Sequence, residues 1–137
     1  MNYRFDEAAA AIRTTFATEW ANRTVIEWPN DPIDPNPALG SWVRFVLQWG
    51  EGQRISIGKP AFHRIMGLVT IQVLVVQDIG EGGATRLCDA AASIFGDRVL
   101  NANGKIRFFS PSISIIGTDG VWWQQNTTIN FTRDVVG

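Results

Sequence analysis

The spacing of apolar positions changes several times along the chain, and each change predicts an element. Phe5, Ala8, Ile12, Phe16 and Trp20 recur three and four residues apart, one stripe of an amphipathic helix over 3–22, with Asn2 placed to cap it. Residues 24–28 read as a short strand. The stretch 29–40 that follows carries Pro29, Pro32, Pro35 and Pro37, which remove donors and pin φ, so it is a loop rather than a helix or central strand. From Ser41 the period becomes two, with Val43, Phe45, Leu47 and Trp49 on one face and Arg44 and Gln48 on the other. Gly50-Glu51-Gly52-Gln53 reads as a hairpin turn and 54–58 as the returning strand, broken over 59–62.

The strongest strand pattern is 64–77, with Ile65, Val69, Ile71, Val73 and Val75 facing one way. Gly80-Glu81-Gly82-Gly83 ends it, and a second helix follows over 84–95 with Leu87, Cys88, Ala91, Ile94 and Phe95 as its buried stripe. Its alanines, Ala84 and 90–92, let it lie close on a sheet. Short strands are expected at 105–109 and 112–116, with turns at 101–104 and 118–120. Residues 122–133 form a long last strand, in which Trp123, Gln125, Thr127, Ile129 and Phe131 alternate with a polar set. Strands in runs, rather than singly between helices, predict an α+β fold. The expected form is a mainly antiparallel sheet with two helices packed on one face and a long proline-rich loop, and a core of Phe16, Trp20, Leu87, Ile94, Val69, Val73 and Ile129.

The 137 residues suit a single domain, 1–137, large enough to need no staple. A net charge of −1 argues against general binding to a nucleic-acid backbone. One cysteine and one histidine supply neither a disulfide framework nor a His/Cys metal cage. Asp6, Glu7 and Arg13 interrupt any signal-peptide pattern, and the longest uncharged apolar run, 65–77, is too short to span a bilayer. The expectation is a soluble, intracellular protein with no membrane contact.

Candidate chemistry is thin. The turn 80–85 feeds a helix N-terminus, where free N–H groups can cradle phosphate, but it has neither a Gly-Lys-Ser/Thr ending nor a completed G-x-G-x-x-G, and Glu81 repels an anion. His63 has no orienting carboxylate or nucleophile that sequence can assign. Cys88 falls on an apolar stripe, as a small hydrophobe does. Asp31, Asp34, Asp119 and Asp134 read as turn formers. The N-x-S/T triplets at Asn22, Asn126 and Asn130 carry no meaning without secretion. No catalytic, cofactor-binding or metal-ligating residue is assigned, and the expectation is not an enzyme. Two biases remain: six tryptophans, and arginine at ten of twelve basic positions. Both side chains are enriched at binding hot spots. They make Trp28, Pro29, Asn30, Trp42, Arg44 and Arg54 the candidate interface residues.

The order of these pieces resembles the tail terminator (tail completion) proteins of long-tailed bacteriophages. The resemblance runs through Trp28-Pro29-Asn30, the proline-rich loop and Trp42, then Gly58, Arg64-Ile65-Met66-Gly67, Gly80-Glu81-Gly82 and the alanine-rich helix. It continues through Gly104-Lys105-Ile106-Arg107-Phe108, Pro111, Gly117, Asp119-Gly120-Val121-Trp122 and Gln125-Asn126 to a strand closing near Asp134. It implies a structural virion protein without catalytic residues or cofactors. Such subunits close into a ring, usually a hexamer, on the finished tail tube, stop its polymerisation and serve head-tail joining. The implied partners are copies of itself, the tail-tube protein and the head-tail connector proteins. The implied location is the virion's tail-head junction, and the host cytoplasm during assembly. A head-closure (neck) or tail-tube ring subunit is the alternative within that setting. A small nucleotide- or ligand-binding domain using the Gly80–Thr85 turn, or an enzyme built around His63, are the alternatives of other classes. The arginine bias predicts a ring held partly by Arg–carboxylate pairs and loosened by salt. The stiff loop is either a pre-organised arm that docks on a neighbouring subunit, anchored by Trp28 and Trp42, or a cover for its own sheet edge.

Overall fold

The computed structural model describes residues 3–34, 40–76, 80–102 and 104–136. Among them the chain forms helix α1 (Phe5–Trp20), strands β1 (Val25–Glu27), β2 (Trp42–Arg54) and β3 (Phe62–Val76), helix α2 (Gly80–Phe95), and strands β4 (Val99–Asn101), β5 (Lys105–Phe108), β6 (Ser112–Asp119) and β7 (Trp122–Val136). The strands make one sheet in the order β1-β2-β3-β7-β5-β4, with β6 also on β7. β7 is the central member. One of its edges carries β3 from Trp122 to Val136, and the other carries β6 beside its first half and β5 beside its second. The β1–β2 pair is parallel and the other pairs are antiparallel. The α+β arrangement expected from the hydrophobic pattern is the one observed.

Period two decides which side chains face the helices. Along β3, Ile65, Val69, Ile71, Val73 and Val75 are buried, and along β7 the buried set is Gln125, Thr127, Ile129, Phe131, Arg133 and Val135. Both helices pack on this face. α1 contributes Ala8, Ile12, Phe16 and Trp20, and α2 contributes Ala84, Cys88, Ala91 and Phe95, all in one cluster. The Phe16 ring joins the layers, with its centroid 5.2 Å from Trp20, 5.5 Å from Phe45 on β2 and 6.2 Å from Phe95 on α2. Fully burying one such side chain contributes about 1.5–3 kcal/mol, so the four buried residues of the α1 stripe are a substantial part of the core. Two of the buried polar groups on β7 are satisfied by α2: Thr127 Oγ1 donates to the Cys88 carbonyl at 3.1 Å, and Gln125 Nε2 donates to Thr85 Oγ1 at 3.1 Å. Those bonds fix the height of α2 along β7.

Gly67 explains itself in this frame. It lies directly opposite Phe131 on the helix-facing side, and a Cβ there would sit 2.1 Å from the ring's Cζ. The aromatic ring occupies the place of the missing side chain. Gly104, at φ 117, meets a backbone limit instead, since a Cβ would come within 2.4 Å of the Asp134 carbonyl oxygen.

Four expectations are corrected. Gly50–Gln53 is not a turn: β2 runs straight through to Arg54, and Gly50 and Glu51 form a bulge where the pairing shifts between Trp49–Gly67 and Gly52–Ile65. Glycine marks bulges as readily as turns, and the true reversal lies beyond Arg54. The glycines 80–83 are not a loop either, since α2 already begins at Gly80. Leu87 is only partly buried, because the stripe that meets the sheet runs through Ala84, Cys88 and Ala91. Asp134 sits inside β7 rather than in a turn, and takes a two-point contact from Arg64 Nε and Nη2 at 2.8 and 3.1 Å. The proposed cap Asn2 lies outside the described residues; α1 starts after Arg4, which adopts φ 54.

Candidate assembly interface

The face of the sheet turned away from the helices is mostly uncharged and polar, with Gln124, Asn126, Thr128, Asn130 and Thr132 of β7 pointing there. A buried apolar island interrupts it at the β2–β3 end. Trp42, paired with Leu74, meets Trp122 edge-on at 6.0 Å, and Ile33 and Val76 pack on the same group. Ile33 belongs to the proline-rich loop, so the described part of that loop folds over its own sheet. A polar clasp secures it. Arg44 donates to Glu27 Oε1 at 2.5 Å and to Gln72 Oε1 at 2.9 Å, and its guanidinium lies 5.2 Å over the Trp42 ring. Glu27 Oε2 in turn accepts the Ile33 N–H at 3.3 Å. Charge-assisted bonds of this kind are about twice as strong as neutral ones.

Trp28 is anchored on the opposite face. Its ring lies 5.2 Å from Phe45 and 6.2 Å from Phe16, at the rim of the main core. The two tryptophans at the loop's mouths therefore grip the two sides of one sheet, and Trp42 is only 2% exposed. Pro29 and Asn30 are exposed on a tight turn, with Asn30 at φ 61 and the Asp31 N–H donating to the Trp28 carbonyl at 3.1 Å. Between this turn and the β2 edge runs an open groove of about 360 Å³, lined among others by Trp28, Pro29, Pro32, Phe45 and Leu47. Of the sequence-derived interface set, Trp28, Pro29, Asn30, Trp42 and Arg44 thus come together around the loop. Arg54 does not: it lies at the far end of β2, where its guanidinium holds the carbonyls of Ser56 and Gly58, each at 3.0 Å. Beyond it the hairpin tip exposes Ile55 and, at 102%, Ile57. Residues 35–39 of the loop lie outside the described residues.

Sequence reasoning missed the opposite edge. β6 pairs with β7 and, among the described residues, with no other strand. It carries Ile113, Ile115 and Ile116, the last two 56% and 57% exposed, and the hairpin to β7 adds exposed Val121. No charged residue or proline stands between Ser112 and Thr118. Exposed strands are ordinarily blunted by such residues. The signal was present as isoleucine alternating with serine, which predicts a strand but not its place at an edge.

The groups considered for chemistry are spread apart. His63 stands edge-on to Tyr3 at 6.0 Å, at the foot of the sheet. Cys88 is buried beneath α2, and burial pushes its thiol pKa up, away from the reactive thiolate. Arg133 is buried on the helix-facing side; burial lowers its pKa, and the charge of Glu7 on α1 opposes that shift. The guanidinium of Arg64 holds the Asp134 carboxyl below the ordinary carboxylate range, chiefly through their hydrogen bond. Arg4, Arg44, Arg64 and Arg98 each hold a carboxylate of the same subunit. No helix of the described residues is long and apolar enough to cross a membrane.

No protein-family model matches the chain, and no curated protein matches it. Solved structures do. One, a chain known by a sequence identifier alone, shares 15% identity at a TM-score of 0.68, over 91% of this chain and 94% of that one. Another, from the virion of a native gene transfer agent (GTA) particle, shares 16% identity over 99% of this chain and 100% of that one, at a TM-score of 0.47. At such identities the first likeness speaks for the fold alone. The second is too distant to bear on either fold or role.

Proposed function

We propose that this chain is a structural virion subunit of a tailed phage or phage-like particle, and that it acts as a tail terminator. In this reading, copies form a ring on the end of the tail tube, stop further polymerisation and offer a surface for head-tail joining. Its partners are itself, the tail-tube protein and the connector proteins on the head side. It works at the tail-head junction of the virion after assembling in the host cytoplasm. Catalysis has no part in this role, and neither His63 nor Cys88 is given one.

The observation that carries the reading is the unguarded β6. A soluble subunit with an uncharged, isoleucine-bearing edge strand is built to be covered, and a subunit that assembles covers it. The ordered resemblance along the chain supplies the kind of assembly. A contact between two different surfaces of one subunit either closes into a ring or runs on as a filament, and a terminator requires closure. The alternative of a ligand-binding domain has less support, because the glycines it would use form the first turn of α2.

The test is to polymerise the tail-tube protein with and without the purified chain. Tubes that stop growing and carry a ring at one end, seen by electron microscopy, are the expected result. Tubes that grow equally long in its presence, with bare ends, contradict the proposal. Calorimetric titration with nucleotides should show no heat of binding; saturable binding would favour the ligand-binding alternative.

A further inference from the structure

The register of the sheet aligns β1, at one edge, with β6, whose outer side is unpaired among the described residues. Through successive pairs, Ile26 of β1 stands in one row with Val43, Val73, Gln125 and, at the far edge, Ile115 of β6. The next row runs from Glu27 through Arg44, Gln72 and Asn126 to Ser114. Residues of one row share a face, so Ile26 and Ile115 both look toward the helices, and Glu27 and Ser114 both look away. Strand direction agrees as well. β2 runs antiparallel to β3, β3 to β7 and β7 to β6, while β1 is parallel to β2, so β6 points opposite to β1.

Resting on the ring reading above, we propose that β6 of one copy pairs antiparallel with β1 of the next copy, placing Ile115 beside Ile26 and Ser114 beside Glu27. The sheet then continues from subunit to subunit. Apolar meets apolar on the helix-facing side and polar meets polar on the other, without any slip of register. One row further down, Ile113 reaches the level of Phe45, where Trp28 and the groove beside it lie open. This gives the exposed isoleucines a socket and gives Trp28, at the rim of the core, an intersubunit role.

The same alignment bears on closure. Because the two edges meet at equal height along the strands, each added copy is displaced sideways and not along the strand direction. Repetition without rise permits a closed ring when the rotation per copy divides the circle, whereas a rise would produce a filament. β1 spans only three residues, so the edge contact of one pair is short and the tube end, by collecting copies, brings the edges together. The contact is made of main-chain hydrogen bonds and apolar side chains, and its one charge, Glu27, is already held by Arg44 of its own subunit, so salt affects it little. That differs from the salt-loosened ring the arginine content predicts, and four of those arginines already serve ion pairs inside the subunit.

The experiment uses the full chain on pre-formed tail tubes. A Glu27→Cys protein is mixed with a Ser114→Cys protein and oxidised; opposed residues of an antiparallel pair have Cα atoms about 4.5–5.5 Å apart, within disulfide reach. The control partner is Thr132→Cys, on the same face but far down β7. Buried Cys88 is not expected to compete. The expected result is a covalent dimer from the 27/114 mixture and none from the 27/132 mixture. Separately, Ile115→Lys should leave the melting temperature unchanged, since the side chain is exposed, and should abolish rings. Rings that form with the 27/114 pair unlinked, or rings of normal stability from the Ile115→Lys protein, overturn the edge contact while leaving the ring reading intact. Wild-type protein that never gathers on tube ends overturns both.

Discussion

At the β1 edge the chain places a parallel strand, the Glu27–Arg44–Gln72 clasp and a proline-stiffened loop whose Ile33 locks onto the Trp42 island. At the β6 edge it places a bulge between Ile115 and Gly117 and little else, leaving isoleucines in solvent. The first edge is organised from within the subunit; the second is unfinished. The difference teaches where each should fail. Changes at the Trp42 island and its clasp act first on folding, because their partners lie in the same chain. Changes on β6 act on assembly, because their partners lie in another.

Measurements that separate folding from assembly test this contrast. The largest effect is expected from Trp42→Ala, which empties the island between Leu74 and Trp122 and should lower stability by about 3–5 kcal/mol in denaturant unfolding. A loss under about 1 kcal/mol would mean that the ring is held from outside the subunit. Gly67→Ala, in the centre between the two edges, must displace the Phe131 ring and should cost about 1–3 kcal/mol. An unchanged midpoint would refute the close approach there. Glu27→Gln removes the charge that holds Arg44 and should cost about 1.5 kcal/mol, with greater protease sensitivity in the loop beside Ile33. At the other edge, Ile116→Thr should move stability by less than about 0.5 kcal/mol while weakening assembly. The smallest effect concerns Asp134, away from both loop and β6. Its pKa is depressed in the folded state, so its contribution is present above the ordinary carboxylate value and fades as pH falls through the lower, folded value. Asp134→Asn should therefore lower the neutral plateau slightly and flatten the acid limb, the two proteins converging at low pH; an acid limb as steep as before would show that the Arg64 pair is not formed.

Strand parity was legible because it is local. The alternation through Val69, Ile71 and Val73, and through Thr127, Ile129 and Phe131, identifies the buried face without knowledge of any partner. It even places Arg133 on that face by position, although its charge hides the fact. The stripe Ala8–Ile12–Phe16–Trp20 was legible for the same reason. Glycine clusters were not, since one residue type serves turn, bulge and helix start: Gly50 bulges β2 and Gly80 opens α2. The candidate interface was legible only in part. Tryptophan and arginine pointed to the loop's mouths, but whether a ring faces solvent or its own sheet depends on contacts such as Trp42 with Trp122, 80 positions on. The exposure of β6 was invisible for a related reason: an edge is defined by strands that are absent beside it, and no local pattern records that.

One measurement addresses the central claim most directly: the length distribution of tails, by electron microscopy, in particles produced without this chain. A subunit that terminates the tube predicts tails of uncontrolled length that fail to join heads, restored to a single length when the chain is supplied. Tails of normal, uniform length in its absence would contradict the terminator role.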